Sequence, residues 1–194
     1  MNLASLRLVV ALVALVLAGV VLALVLLDRM APPPPAPPPP AARNLGQWQP
    51  ATARGAPVAL DFVDGAGMAR SLADWRGRVV LVNLWATWCA PCVEEMPALD
   101  RIAARLGGPD FDVVAIYVDR QGASVVQPVL GKLGLSRLAP YLDPSNAAVR
   151  VLGAPGLPVS VVLDREGREL GRVLGAAEWD APAFEALLRR AIDS

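Results

Sequence analysis

The chain has 194 residues, enough for one ordinary domain with appended segments, and 55% of them are apolar. Its 18 Lys and Arg balance 18 Asp and Glu without any basic run, which excludes the charge pattern of a nucleic-acid-binding protein. It contains no His, which removes His-based general-base catalysis, His ligation of haem and most catalytic zinc sites. We therefore predict no metal and no cofactor, and chemistry that depends on thiols, carboxylates, hydroxyls or backbone groups.

The first predicted element is a membrane anchor at residues 8–27, which include no charged residue and no Pro. A helix of this length rises about 30 Å, enough to cross the hydrocarbon core of a bilayer. A cleaved secretory signal is the alternative, but its apolar stretch is usually about 7–15 residues long, and Pro32 to Pro35 crowd the place where cleavage would occur. Since Arg7 flanks the run, residues 1–7 are expected on the cytoplasmic side.

A Pro-rich linker at residues 28–57 is the next predicted segment. Residues 32–40 comprise eight Pro and Ala36, a composition that favours the polyproline II conformation, with a rise of about 3.1 Å per residue. The stretch is therefore expected to be a stiff spacer, and Ala41 to Ala56 is expected to continue as a loop. A docking ligand for a partner that binds Pro-rich segments is the alternative reading of the same composition.

Residues 58–194 are predicted to form one globular domain. The run at 79–85 is almost wholly apolar, as in a central strand that is buried on both faces. Residues 164–167, DREG, predict a hairpin turn. The predicted strands are Val58–Phe62, Val79–Trp85, Val113–Val118, Val159–Leu163 and Glu169–Leu174, and the predicted helices are Ala90–Leu106, Ala123–Leu133, Ser145–Leu152 and Ala181–Ile192. This order gives an α/β sandwich with a mixed sheet.

The only two cysteines of the chain, Cys89 and Cys92, lie where the predicted central strand gives way to a helix. At this place Cys89 would occupy the amino end of the helix, with Cys92 one turn further on the same side. Unpaired N–H groups and the positive end of the helix dipole stabilise a thiolate, which is the attacking species in disulfide exchange. We therefore predict that Cys89 is the nucleophile and that the more shielded Cys92 resolves the mixed disulfide. Pro91 falls in the first turn, where a missing N–H costs nothing.

A purely structural disulfide is the alternative for this pair. The strand-to-helix position and the preceding Trp88 favour a redox pair. Haem attachment needs His directly after the second cysteine, where Val93 stands instead.

The segment NLWATWCAPC at 83–92, continuing as EEMPAL at 94–99, resembles the TlpA branch of the thioredoxin superfamily, which includes ResA-like and cytochrome c biogenesis reductases. The resemblance extends over residues 58–192 and includes GLPVS at 156–160 and AEW at 177–179. It implies a thioredoxin-like α/β fold, with a mixed central sheet flanked by helices, an N-terminal hairpin and a central insertion, here preceded by the transmembrane helix.

The resemblance also implies roles for single residues. Cys89 and Cys92 match the redox pair that closes to a disulfide, and Pro158 matches a proline that this superfamily holds in cis facing the pair. A cis bond there would expose the backbone of Leu157 for pairing with a substrate. Leu157 is therefore expected to bind substrate, as are the three other neighbours of the pair: Trp88, Ala90 and Pro91. Pro97 matches the proline that kinks the active-site helix.

Glu95, three residues after Cys92, matches a carboxylate that ResA-like proteins carry near the redox pair. It could relay a proton to or from Cys92 if burial raises its pKa, and a solvated Glu on the helix surface is the alternative. Asn83 stands where thioredoxin has a buried acid, so that relay is not expected here. Two further departures are the absence of a second cysteine pair and Val159, which replaces the usual Thr after the cis proline.

The predicted function is that of a disulfide reductase of client proteins outside the bacterial inner membrane. The chain is expected to be a single-pass protein, with its N-terminus cytoplasmic and its catalytic domain periplasmic. The family receives electrons from a CcdA- or DsbD-like membrane partner. By resemblance, the clients are proteins with cysteine pairs: a copper chaperone, the copper-site subunit of cytochrome oxidase, or apocytochrome c.

The alternatives to a disulfide reductase are a net oxidant of the DsbA kind, a Sco-type copper-binding factor and a module with a static bridge. The Sco type needs wider cysteine spacing and a His.

Overall fold

The computed structural model describes residues 2, 15–17, 19, 20, 48–119 and 121–194. The chain divides into two units, residues 1–41 and 42–194. In the first unit, residues 15–17, 19 and 20 are helical and exposed. The rest of the predicted anchor and the Pro-rich residues 32–40 lie outside the described residues, and no helix within the described parts has the length and apolarity needed to cross a membrane.

The second unit is an eight-stranded mixed sheet with helices on both faces. Its strands are β1 (Trp48–Pro50), β2 (Asp61–Asp64), β3 (Ala69–Ser71), β4 (Val79–Trp85), β5 (Phe111–Tyr117), β6 (Tyr141–Leu142), β7 (Val159–Leu163) and β8 (Glu169–Leu174). Its α-helices are α1 (Ala90–Leu106), α2 (Ala123–Lys132), α3 (Ala147–Val151) and α4 (Pro182–Ile192), and a 3-10 helix covers Leu72–Trp75.

The strands follow the order β1-β8-β7-β4-β5-β6-β2-β3 across the sheet. The pairs β4–β5 and β5–β6 are parallel, and the other neighbours are antiparallel. β4 therefore lies near the middle, between parallel β5 and antiparallel β7. Its seven residues are all buried, as expected for a strand that is covered on both faces.

Two apolar clusters cover the two faces of the sheet. Leu81 and Trp85 of β4 pack in the cluster that contains α1, α2 and α4, whereas Val80, Val82 and Leu84 pack in the one that contains the 3-10 helix and α3. This alternation follows from the period of two in a strand. The consequence for the site is that the face of Leu81 and Trp85 lies beneath α1.

Most predicted elements are confirmed. The bounds of β4, α1, β7 and β8 agree with the predictions, and the β2–β3 pair is an N-terminal hairpin. The predicted strand Val58–Phe62 is wrong in its first half, because β2 begins at Asp61. Val58 and Leu60 bond outside the sheet instead: the Val58 N–H donates to the Gly167 carbonyl in the β7–β8 turn at 2.8 Å, and the Leu60 carbonyl accepts from the N–H of Leu72, the first residue of the 3-10 helix, at 2.9 Å.

The loop predicted at 41–56 is wrong where β1 forms. Trp48 pairs with Val173 and Pro50 with Gly171 of β8. A side chain at Gly171 would meet the Trp48 ring at 2.3 Å, so the absence of a Cβ there is what admits the indole. The partner is more than a hundred residues away in the sequence, which is why a local pattern did not predict this strand.

Asp164 closes the predicted hairpin turn between β7 and β8. Its carboxylate accepts from the Arg168 N–H at 2.8 Å, from Arg168 Nε at 2.9 Å and from Arg54 Nη1 at 3.3 Å. Burial alone would raise the pKa of Asp164. The hydrogen bonds from Arg168 and the charges of Arg168 and Arg54 together outweigh it, so the pKa lies below its ordinary value of 3.8.

We expect Asp164→Asn to lower the free energy of unfolding by about 1–3 kcal/mol at neutral pH, because a buried acceptor of several donors is lost. Since the folded-state pKa is depressed, the stabilisation is present above the ordinary value of 3.8 and is lost as the pH falls through the folded value. The difference from the unsubstituted protein should therefore shrink in acid, as measured by chemical unfolding across a pH series. Glu166→Gln is the control, because Glu166 bonds the same arginine but is 61% exposed. A difference that stays constant with pH contradicts this assignment.

Candidate active site

The site lies at the junction between β4 and α1. β4 ends at Trp85, and the Cys89 N–H donates to the Ala86 carbonyl at 3.1 Å, which closes a tight turn. Cys89 has an extended backbone (φ −89°, ψ 95°) and is the N-cap of α1, and its carbonyl accepts the first helical bond from the Val93 N–H at 3.1 Å. The chain thus passes from a wholly buried strand to the start of a helix within four residues.

A disulfide joins Cys89 and Cys92, with sulfur atoms 2.04 Å apart and Cα atoms 5.2 Å apart. The two residues differ in access, since Cys89 is 6% exposed and Cys92 is completely buried. Of the two cysteines, only Cys89 has exposed surface at which an incoming thiol or disulfide could approach. The first N–H groups of a helix have no acceptor within the helix and carry its positive partial charge. A thiolate released at Cys89 would face this charge.

A cis peptide bond precedes β7, between Leu157 and Pro158. β7 pairs antiparallel with β4 and places Val159 opposite Leu84. The buried Pro158 and the half-buried Leu157 are thereby brought to the end of β4 from which the cysteine turn departs.

Polar side chains meet beneath α1 in the otherwise apolar core. Glu95 is 2% exposed, and Asn83 and Ser160 are completely buried. Asn83 Nδ2 donates to Glu95 Oε1 at 2.8 Å and to Ser160 Oγ at 2.9 Å, and the Ala177 N–H donates to Glu95 Oε2 at 2.9 Å. Glu95 is therefore not the solvated surface residue of the alternative reading.

The carboxylate of this cluster enters from the helix rather than from the sheet. Asn83 holds the strand position where thioredoxin has an acid, and the structure shows its amide hydrogen-bonded to the Glu95 carboxylate. Glu95 and Asn83 were each noted from the sequence, but their contact was not predicted. Ser160 was not predicted either, although it lies directly opposite Asn83 in the β4–β7 register.

An open groove of about 530 Å³ is lined in part by Trp88 and Leu157. Trp88 is 66% exposed, and its Nε1 donates to Asp119 Oδ2 at 2.8 Å. The remaining lining residues were not predicted: Val118, Asp119, Asn146 and Val149. They follow β5 or lie at the start of α3, two elements that come together with the turn only in the folded chain. The other two predicted substrate-binding residues, Ala90 and Pro91, are exposed on the first turn of α1 and do not line this groove.

A buried phenol lies behind the turn. The Tyr117 hydroxyl lies 3.5 Å from Thr87 Oγ1. Burial raises the pKa of Tyr117, the hydrogen bond with Thr87 lowers it, and the carboxylate of Asp119 raises it, with a net rise above the ordinary value of 10.0. Tyr117 is therefore a neutral hydrogen-bonding group at neutral pH and supports the turn without contributing charge.

Comparison with known proteins agrees with this geometry. The family model Redoxin matches residues 50–188. The thiol-disulfide oxidoreductase ResA of Bacillus thuringiensis (strain Al Hakam) is 26% identical over 112 residues, which are 58% of this chain and 64% of ResA. The thiol:disulfide interchange protein CycY of Rhizobium leguminosarum bv. viciae is 30% identical over 123 residues, 60% of this chain and 64% of CycY. The chain thus spans less than two thirds of the length of these curated relatives.

A solved structure shows the same fold. It is that of a Chlorobium tepidum protein provisionally named thiol:disulfide interchange protein DsbE, with a TM-score of 0.65 and 26% identity over 73% of this chain and 99% of that one. The strand order, the helix that follows the cysteine turn and the cis proline fit a thioredoxin-like fold. Since the Redoxin match covers most of the chain, including both cysteines, this chain belongs to the Redoxin family.

Proposed function

We propose that the protein is a thiol–disulfide oxidoreductase in which Cys89 attacks and Cys92 resolves. The observation that carries the proposal is the bridge at the amino end of α1, in which Cys89 keeps 6% of its surface exposed and Cys92 is completely buried. The names of ResA and CycY, which are thiol-disulfide oxidoreductase and interchange proteins, support the same chemistry. A static bridge would gain nothing from a position at a helix amino end beside an open groove.

The exchange runs in two displacement steps. The thiolate of reduced Cys89 attacks one sulfur of a client disulfide, the client S–S bond breaks, and the other client sulfur leaves as a thiolate that takes up a proton. Cys92, once deprotonated, attacks the Cys89 sulfur, the mixed disulfide breaks, and the second client thiolate leaves. Once the second thiolate is protonated as well, the client has gained two electrons from the protein and two protons, one that comes from Cys92 and one from solvent, and the protein keeps the Cys89–Cys92 bridge. Glu95, one turn after Cys92 and buried with it, is the proposed acceptor of the Cys92 proton.

The groove and the cis proline are the proposed client-binding surface. An extended client segment would pair with the backbone of Leu157 beside Pro158, and its side chains would contact Trp88. Ala90 and Pro91 would contact the client on the other side of Cys89. The exposed indole of Trp88 offers apolar area to such a segment, and its bond to Asp119 holds it in place.

The proposed net direction is reduction, in the periplasm of a bacterium. Residues 8–27 would anchor the chain in the inner membrane with residues 1–7 cytoplasmic, and the part of the Pro-rich linker that precedes β1 would be a spacer between the membrane and the domain. Because that compartment is oxidising, a CcdA- or DsbD-like partner would supply electrons. The proposed clients are cysteine pairs of a copper chaperone, of the oxidase copper-site subunit or of apocytochrome c. The resemblance to the TlpA branch supports these assignments.

We expect Cys92→Ser to accumulate mixed disulfides with client proteins, because Cys89 can still attack but nothing releases the client. Cys89→Ser should trap no client, since the remaining sulfur is completely buried. The two full-length variants, expressed in a bacterium with a periplasm, would be compared after acid quenching by non-reducing gels and mass spectrometry of the adducts. Equal trapping by both variants would reverse the assigned roles, and no trapping by either would contradict the proposed function.

The equilibrium with glutathione decides between a reductase and a net oxidant. We expect a midpoint potential near that of thioredoxin, about −270 mV, rather than near that of DsbA, about −120 mV. The bridge is equilibrated with mixtures of oxidised and reduced glutathione, and the reduced fraction is counted by thiol alkylation. A potential in the range of the strong oxidants overturns the proposed direction while leaving the exchange chemistry in place.

We expect Asp119→Ala to slow reduction of a protein disulfide such as that of insulin by about tenfold, the effect of one charge-assisted hydrogen bond. Without Asp119 the Trp88 indole is no longer fixed beside the groove. The rate with a small disulfide, which needs only the Cys89 sulfur, should stay within about twofold.

The matched control for this variant is Asp112→Ala. Asp112 accepts from Trp75 Nε1 at the same 2.8 Å, but it lies near the opposite end of β5, about 20 Å away along the strand. Asp112→Ala should leave the reduction rates of both the protein disulfide and the small disulfide unchanged. Equal slowing by the two variants, or equal slowing of the two disulfides by Asp119→Ala, would show that the bond to Trp88 does not serve client binding.

A further inference from the structure

Asn83 is the one polar residue of β4, in the centre of the sheet. Both hydrogens of its amide are used, one by Glu95 Oε1 at 2.8 Å and one by Ser160 Oγ at 2.9 Å. Its own oxygen, Oδ1, is buried and accepts no hydrogen bond from any residue within 48–119 and 121–194. A buried acceptor without a donor is costly. The unpaired Oδ1 of Asn83 therefore requires an explanation, whereas its fully bonded Nδ2 does not.

The amide orientation is tied to its hydrogen bond with Glu95. With Nδ2 toward Glu95, the amide donates to a carboxylate oxygen, while the second oxygen accepts from the Ala177 N–H. The reversed amide would direct Oδ1 at the same carboxylate, and two acceptors would then repel each other. Turning the amide to supply Oδ1 with a partner would thus remove the donor that a buried carboxylate needs. The missing donor for Oδ1 must come from elsewhere.

Cys92 lies beneath α1 on the same face of the sheet as Asn83. Cys92 and Glu95 are one turn apart on the buried face of α1. Cys92 also packs in the same apolar cluster as Leu81 and Trp85, which flank Asn83 on its face of β4. A disulfide sulfur has no hydrogen to donate, whereas a thiol is a weak donor. Reduction of the bridge therefore creates a new donor beneath α1.

We propose that Asn83 is a redox-linked positioning residue: its Nδ2 holds the carboxyl group of Glu95 in place, and its Oδ1 accepts a hydrogen bond from the Cys92 thiol in the reduced protein alone. The inference rests on the proposed function, since it requires that the bridge be opened. When a dithiol reduces the bridge, the dithiol closes to its own disulfide and gives up two electrons and two protons. The two protein sulfurs become thiols, and the proton on Cys92 fills the vacant acceptor. Asn83 thus favours the reduced form.

The test is the equilibrium of the full-length protein with dithiothreitol. Asn83→Leu should shift the equilibrium toward the disulfide by about tenfold, the effect of one buried hydrogen bond. The variant removes Oδ1, which would accept from the Cys92 thiol in the reduced form and has no donor in the oxidised form. The loss of the donor to Glu95 is common to both forms and cancels to first order.

Ser160→Ala is the matched control, because it removes a buried hydrogen bond of Asn83 at 2.9 Å and leaves Oδ1 in place. It should leave the equilibrium within about twofold of the unsubstituted protein. A purely structural role predicts that both variants move the equilibrium alike, and that result overturns the inference.

Asn83→Asp keeps the shape and serves if Asn83→Leu does not fold. It places a second carboxyl group at hydrogen-bond distance from Glu95, so the two should share a proton. The dependence of the equilibrium on pH should then show one proton-linked inflection more than that of the unsubstituted protein. A pH dependence identical to that of the unsubstituted protein contradicts the inference. If dithiothreitol reduces the bridge of the unsubstituted protein but the Asn83 variants do not show the expected changes, the role of Asn83 is refuted while the proposed function stands. If no dithiol reduces the bridge, the proposed function itself is refuted.

Discussion

The structure of the site depends on one constraint: a strand that is buried along its whole length must leave the sheet and enter a helix within a few residues. That change of direction places a cysteine at the N-cap, where the helix presents N–H groups without acceptors. The next turn carries the second cysteine into the core. The difference between the two sulfurs in access and in electrostatic environment follows from this geometry, and with it the order of the exchange steps.

The same packing brings polar groups into the core beneath the helix. β7 runs antiparallel beside β4, so Ser160 faces Asn83 and the cis Leu157–Pro158 bond meets the end of β4. Glu95 reaches down from α1 to the Asn83 amide. A carboxylate buried this deeply is stabilised only while its donors are in place. The redox pair and the polar cluster are therefore parts of one arrangement, in which a change in the proton on one group alters the hydrogen bonds available to the next.

Elements with a strong local pattern could be predicted from the sequence, including the apolar run of β4 and the helix of the cysteine motif. β1 could not, because Trp48 depends on the missing side chain of Gly171, a contact between distant parts of the chain. The cysteines of the site were identified by their spacing and by the resemblance. Ser160 and Asp119 were not, because a hydrogen bond across the sheet or from a loop to an exposed indole leaves no periodic trace in the sequence. Residue type and spacing thus predicted the redox chemistry of the two cysteines. The residues that hydrogen-bond to the site residues depend on long-range pairing and could not be predicted in this way.

The central claim is that the helix amino end makes the sulfur of Cys89 more acidic than that of an ordinary cysteine. The most direct measurement is the rate of alkylation of the reduced protein across a pH series, with the two cysteines resolved by peptide mass spectrometry. We expect Cys89 to react first, with a midpoint below the value of about 8.5 for a free cysteine, while Cys92 stays protected. A midpoint at or above that of free cysteine, or faster reaction at Cys92, would contradict it.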